Sequence, residues 1–154
     1  MAILVSDATT WATDYLKGIT FSTADELSLA NNVQSAISSF YRWHWTQTAG
    51  TGVVTVAGTQ GYSLATADQN KVLEFAEANL LSGSTELPSL IIYSDIPVPL
   101  STTQARPIAV SLISPTAYRL WPNPDAVYTF QHRYYARPIT FAANTESYQC
   151  PDNF

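Results

Sequence analysis

"AYRLWPNPDAVYTFQHRYYA", residues 117–136, decides the fold. Aromatic and β-branched side chains favour a pleated, half-buried backbone. From residue 127 onward they alternate: Val127, Thr129, Gln131 and Arg133 can point one way while Tyr128, Phe130, His132 and Tyr134 point the other. The pattern predicts a strand with one strongly aromatic face. Upstream, Pro122, Asn123, Pro124 and Asp125 combine residues that fix φ with residues that favour turns. "YRLW" and "VYTFQHRYY" are therefore expected to form an antiparallel pair across a tight turn.

Working back from that stretch, short apolar runs bounded by Gly, Pro, Asn, Asp or Ser predict further strands at "KVLEFAEA", "SLIIYSD" and "PIAVSLIS". Val53, Val54 and Val56, followed by "AGTQGYSLA", predict a hairpin. The second half of the chain reads as β-rich. The N-terminal third differs. Thr23 followed three residues later by Glu26 has the form of a capping box, with Asp25 and Glu26 at the positive end of the helix dipole. Leu29, Val33, Ile37 and Phe40 then recur at spacings of three and four, which predicts a helix over about residues 24–45 with that stripe buried and Asn31, Asn32, Gln34, Ser38 and Ser39 facing out. Before it, "DATTWATDYLKG" predicts a shorter helix, capped by Asp7, with Trp11, Tyr15 and Leu16 on one side and Gly18 as its stop. The expected class is α+β, with N-terminal helices packed on an antiparallel β-sandwich or barrel.

Composition narrows the function. The 154 residues suit one domain of about 7–46 helical, about 52–141 β-rich and 142–154 as a tail. Charged residues are only 12% against roughly 25% in ordinary soluble domains. A weakly charged, aromatic-rich chain suggests an exterior covered by neighbours. The net charge of −5 and the dispersed two Lys and five Arg argue against gripping nucleic acid. No run approaches the ~20 apolar residues needed to cross a bilayer, and "MAILVSD" lacks a basic leader, so synthesis in a cytoplasm is expected. Cys150 is the single cysteine, which excludes an intramolecular disulfide.

The search for chemistry finds no constellation. His44 and His132 belong to no metal-ligand spacing, and Cys150 has no basic neighbour to make a thiolate. Glu74 and Glu77 would face opposite ways on a strand. No GxSxG, phosphate loop or GxGxxG is present. No catalytic residue, cofactor or metal is expected. The aromatic residues are a different matter. In "FYRWHW", consecutive residues fan around a helix, so Tyr41, Arg42, Trp43 and Trp45 cannot all enter one core stripe. They read either as a lid where helix meets sheet or as an anchor for a neighbouring subunit, since Trp, Tyr and Arg dominate interface hot spots. Arg119 with Trp121, and Arg137 after Tyr134 and Tyr135, pose the same choice. "ESYQCPDNF" reads as the entry to a further helix or as a tail that folds on a partner.

The order of these segments resembles the head-to-tail adaptor (connector) proteins of tailed, especially short-tailed, bacteriophages over roughly residues 22–154. The resemblance rests on a helix ending "SFYRWHW"; on a "G-x-x-x-Y-x-L" element met by Gly58 or Gly61, Tyr62 and Leu64; on "Y-x-L-x-P-x-P" at Tyr118, Leu120, Pro122 and Pro124; and on "Y-Y-x-x-P" at Tyr134, Tyr135 and Pro138. It implies a structural virion protein, made in the host cytoplasm and placed at the head-tail junction. It implies a homo-oligomeric ring, typically of twelve copies, beneath the portal protein. Such a ring extends a channel through which packaged DNA passes without specific binding, and presents a platform to a tail or nozzle protein. Tyr148, Pro151 and Phe154 become the candidate portal-docking tail. The alternative from another class is a carbohydrate-binding β-sandwich module, in which exposed Trp and Tyr stack on sugars.

Overall fold

The computed structural model of the chain describes residues 4–16, 22–40, 42–94, 99–143 and 145–146. The content is mixed and β-rich: among the described residues, two α-helices precede nine strands. They sort into two compact units, one of residues 1–45 with 138–154 and one of residues 46–137.

In the β unit, β1 (Gln47–Ala49), β9 (Thr129–Ala136), β4 (Val72–Ser82) and β5 (Thr85–Glu86) lie side by side in that order, with β2 (Val53–Val54) also paired to β9. Every pairing in this sheet is antiparallel. The second sheet runs β3 (Gly61–Ser63), β8 (Ala117–Trp121), β7 (Ala109–Ser114) and β6 (Ile91–Tyr93), with β6 parallel to β7. The predicted strands exist, and the face alternation of β9 is as the sequence predicts: Tyr128, Phe130, His132 and Tyr134 are buried while Val127, Gln131 and Arg133 are exposed.

Two predicted pairings are corrected. β8 and β9 belong to different sheets, so "PNPD" is a crossing between sheets and not a hairpin turn. The reason is that its backbone is bonded elsewhere: Asn123 N donates to Thr103 O (3.1 Å), while Pro124 O accepts from Gly58 N (2.7 Å). Pro122 and Pro124 have no N–H to contribute to a ladder. Likewise β2 and β3 do not pair with each other. Between them Gly58 takes φ +79°, a left-handed conformation that suits glycine. The Tyr62 hydroxyl holds the loop, accepting from Val56 N (3.3 Å) and lying 2.6 Å from the Thr59 carbonyl oxygen.

β4 carries a third correction. Its register against β9 shifts twice, between Val72 and Glu74 and between Phe75 and Glu77. Each bulge adds a residue and resets the alternation. Glu74 and Glu77 thus stand opposite Tyr135 and Arg133, both on the outward face of β9, so the two carboxylates share a face where a regular strand would separate them.

Inside, rings from both sheets stack in series. Tyr62 lies 5.5 Å from Tyr118, Tyr118 4.4 Å from Phe130, Phe130 5.1 Å from His132 and His132 5.8 Å from Tyr134. Phe75 meets Tyr118, Phe130 and His132 edge-on. Offset-stacked and edge-on pairs each add about 0.5–1.5 kcal/mol beyond the area they bury. This spine, with Leu64, Val72, Leu80, Val110 and Leu120 around it, is the core of the unit.

In the helical unit, α1 spans Val5–Leu16 and α2 spans Thr23–Phe40. The cap of α2 sits one residue earlier than the sequence suggests. Asp25 N donates to Ser22 Oγ (3.3 Å), and Ser22 N donates to Asp25 Oδ2 (3.3 Å). This is the reciprocal arrangement of a capping box, with Ser22 outside the helix and Asp25 at its third position. The Ser22 hydroxyl also donates to Asp25 Oδ2 (2.6 Å), and these bonds hold that carboxyl below its usual range. On α1, Asp7 Oδ2 accepts from Leu4 N (3.2 Å), so it serves the helix start from within the first turn.

The buried face of α2 is not the predicted one. Ala30 is 2% exposed and Gln34 4%, while Leu29, Val33 and Ile37 are 46%, 40% and 44% exposed. The cause lies 110 residues away. The chain after the β unit returns to α2, where Asn31 donates from Nδ2 to Phe141 O (3.2 Å) and accepts Phe141 N on Oδ1 (2.7 Å). One amide side chain thereby serves both backbone groups of Phe141, much as a neighbouring strand would. Phe141 is then buried with Val5 and Ala30, and Leu27 packs against them. Glu146 completes the fit: its carbonyl accepts Val5 N (3.0 Å), and its carboxylate accepts Ala142 N (2.6 Å).

Candidate assembly surfaces

The helix predicted to run to residue 45 ends at Phe40, followed by a 3-10 turn at His44–Thr46. Trp43 folds back so that its indole Nε1–H donates to Ile37 O (3.0 Å). That bond satisfies one of the carbonyls every helix leaves open in its last turn. Trp43 and Trp45 stack at 4.4 Å between ring centroids, 22° from parallel, each half-buried, and Arg42 beside them is exposed. Tyr41 lies outside the described residues, as do Cys150 and the tail residues Tyr148, Pro151 and Phe154.

Elsewhere the predicted site residues scatter. Arg119 and Trp121 stand on the same face of β8, half-buried, with Tyr118 and Leu120 buried on the other. Tyr135 is half-buried, its hydroxyl accepting from Gln47 Nε2 (3.0 Å), and the exposed Arg137 donates from Nε to Val72 O (3.0 Å). Tyr134 is 3% exposed and belongs to the core. Its hydroxyl lies 3.4 Å from Asp68 Oδ1, and burial first, then the Asp68 charge, push its ionisation up. Within the β unit, Arg119 and Trp121 are thus grouped on β8, while Tyr135 lies on β9 of the other sheet and Arg137 just past its end.

Among the described residues the most exposed rings are two that the sequence placed together on one side of the first helix. Trp11 and Tyr15 on α1 are 69% and 75% exposed and stack on each other at 5.7 Å. Together with Leu29, Val33 and Ile37 they give the helical unit a large apolar exterior. The signal was in the sequence but had two solutions: the i, i+4 stripe marks a helix face that wants cover, and cover can come from the same chain or from another.

The β unit also contains a cleft of about 500 Å³ lined by Gly50, Glu77, Asn79, Glu86, His132 and Arg133 among others. Asn79 donates to Glu86 across it. His132 is 4% exposed, and neither ring nitrogen has a hydrogen-bond partner. Its ring presses so closely on Gly50 that any side chain there would overlap it. Burial outweighs attraction by Asp68 and lowers the imidazole's proton affinity, favouring its neutral form. Tyr118 has a similar orphan hydroxyl, with burial pushing its ionisation strongly up. Among the described residues no three His, Cys, Asp or Glu side chains come together as a metal site, and no helix is long and apolar enough to cross a membrane.

The geometry therefore concentrates surface chemistry in apolar and aromatic patches. The comparison with curated proteins gives no match. The family described as SU10 adaptor protein matches residues 2–154. On that match over nearly the whole length, the chain belongs to the SU10 adaptor protein family, structural proteins of bacteriophages.

Proposed function

We propose that this protein is a non-enzymatic virion neck component. It forms a ring beneath the portal protein at the head-tail junction, extends the DNA channel and presents a platform to the tail. The family supports the adaptor role. The observation that carries the ring is the apolar exterior of the helical unit, where Trp11, Tyr15, Leu29, Val33 and Ile37 are all at least 40% exposed. Large apolar side chains left in water in such number mark a surface that favours cover by a neighbour. The net charge of −5 per copy suits a channel wall that does not hold DNA, because like charge repels the phosphate backbone. The carbohydrate alternative is less well supported, since the β-unit cleft is lined by carboxylates, amides and a guanidinium with no Trp or Tyr among them.

Native mass measurement of the protein alone and with isolated portal rings tests this reading. Rings under either condition are expected; a chain that stays monomeric in both refutes it. For the tail, removing residues 148–154 is expected to weaken capture by portal rings, and unchanged capture excludes that segment from docking.

A further inference from the structure

At one edge of the first sheet, a short link with little to hold it covers a buried histidine. β1 pairs Ala49 with Arg133 and β2 pairs Val53 with Phe130, so residues 50–52 stand opposite residues 131 and 132 alone. The extra residue disrupts the ladder around it, as in a bulge. Thr51 and Gly52 are exposed. The link is tied down where Gly50 N donates to His132 O (2.8 Å) and Thr51 N donates to Asp68 Oδ2 (2.7 Å). Backbone with few buried apolar contacts is where local opening costs least.

Beneath the link lies the His132 ring. Nε2 is the ring atom nearest to where a side chain on Gly50 would begin, and the approach is close enough to require glycine. Phe130 and Tyr134 stack on the two sides of the ring, Phe75 meets it edge-on, and neither nitrogen has a partner. A neutral imidazole carries one donor and one acceptor, an imidazolium two donors and a charge. Leaving them unmet in the interior costs free energy, and more when they are charged. The surrounding elements offer no other remedy. Ala78 on β4 is apolar, and Glu77 beside it stands with Arg133 on the outward face. Tyr134 directs its hydroxyl at Asp68 (3.4 Å), and Tyr118, beyond Phe75 and Phe130, has an orphan hydroxyl of its own. Asp68 is the one charge that favours the imidazolium, and its Oδ2 is engaged by Thr51 N. Lifting residues 50–52 would uncover Nε2 and free that carboxylate oxygen in one movement.

We propose that residues 50–52 form an acid-operated latch, closed over His132 while the imidazole is neutral and opened when that ring takes up a proton. In the open form Nε2–H donates to water and Asp68 is free to offset the charge. The open ring binds its proton at about the ordinary value of 6.5 and the closed ring less readily, so opening is favoured as pH falls below about 6.5 and suppressed above it. The device works within one chain and does not depend on assembly.

Amide hydrogen exchange of the full chain, corrected for the intrinsic rate at each pH, tests the latch. Leu64 and Leu120, buried and with bonded amides, report global unfolding. Gly50 and Thr51 are expected to open more readily than these two. Their opening constant is expected to rise by up to about tenfold from about pH 7.5 to about pH 5.5, the limit for one proton linked at 6.5, and a rise under about twofold overturns the proposal. Equal opening at all four amides also overturns it, since His132 would then be released only by global unfolding. His132→Phe keeps a ring in the stack and is expected to abolish the pH dependence at Thr51; a rise that persists assigns the effect to another group and overturns the latch. Gly50→Ala is expected to act as acid does, opening the link at neutral pH and bringing the His132 titration, followed by NMR, up towards 6.5. A titration unchanged from wild type would show that Gly50 does not close over the ring. Should either variant fail to fold, the wild-type exchange alone decides.

Discussion

The β unit and the helical unit solve the same problem in opposite ways. In the first, rings and aliphatics turn inward and five stacked rings join two sheets; on α2 of the second, Leu29, Val33 and Ile37 point outward while Ala30 and Gln34 face in. Burial of apolar surface is the main favourable term in folding, so a helix that leaves its leucine, valine and isoleucine in water gives up stabilisation within the chain. The difference teaches that the β unit draws its stability from within itself, whereas α2 leaves an apolar stripe exposed, the feature on which the proposed ring rests.

This contrast can be broken by experiment. Phe130→Ala removes the fully buried centre of the ring stack and is expected to cost about 3–5 kcal/mol in denaturant unfolding. A loss under about 1 kcal/mol would mean that the spine is not the anchor of the unit. The second probe is pH. His132 binds its proton less readily when folded than the ordinary value of 6.5, so below about that pH the unfolded chain takes up more protons and stability falls as pH falls. His132→Phe keeps a ring in the stack and is expected to flatten the fall between pH 7 and 5; an unchanged slope assigns it to other groups. Tyr118→Phe removes a buried hydroxyl that has no partner, with an expected gain of about 1 kcal/mol in unfolding free energy. The smallest effect belongs to the helix. Val33→Ala is expected to change stability by no more than about 0.5 kcal/mol, as at exposed sites generally, and a loss like that of Phe130→Ala would erase the contrast.

Local rules carried far in this sequence and non-local ones did not. The alternation in residues 127–134 named the buried face of β9 because period two is a property of the strand alone. The start of α2 was legible to within one residue for the same reason: Ser22 and Asp25 act within a single turn. Which strands pair depends on partners far along the chain. The crossing at Pro122–Asp125 reads as a turn until Thr103 and Gly58 claim its hydrogen bonds. The α2 stripe was found correctly and placed on the wrong side, because nothing near Asn31 announces that Phe141 will dock there. The bulges in β4 have no residue signature, so the shared face of Glu74 and Glu77 could be read only from the register. For the site, arginines and tryptophans marked plausible contact points, but Leu29, Val33 and Ile37 read as a buried stripe, and Trp11 and Tyr15 were legible only as one side of a short helix.

The clasp between Asn31 and Phe141 has a consequence in time. A chain leaves the ribosome N-terminus first, and protein domains generally fold as they emerge. All of residues 46–137 are therefore available to fold before Phe141 has been added, while the core of Val5, Ala30 and Phe141 must wait until the whole β unit has been made. A translation product cut short after residue 137 would retain all nine described strands yet lack the third member of that core. The helices would then be held in place last of all, so incomplete products are poorly suited to enter a growing particle.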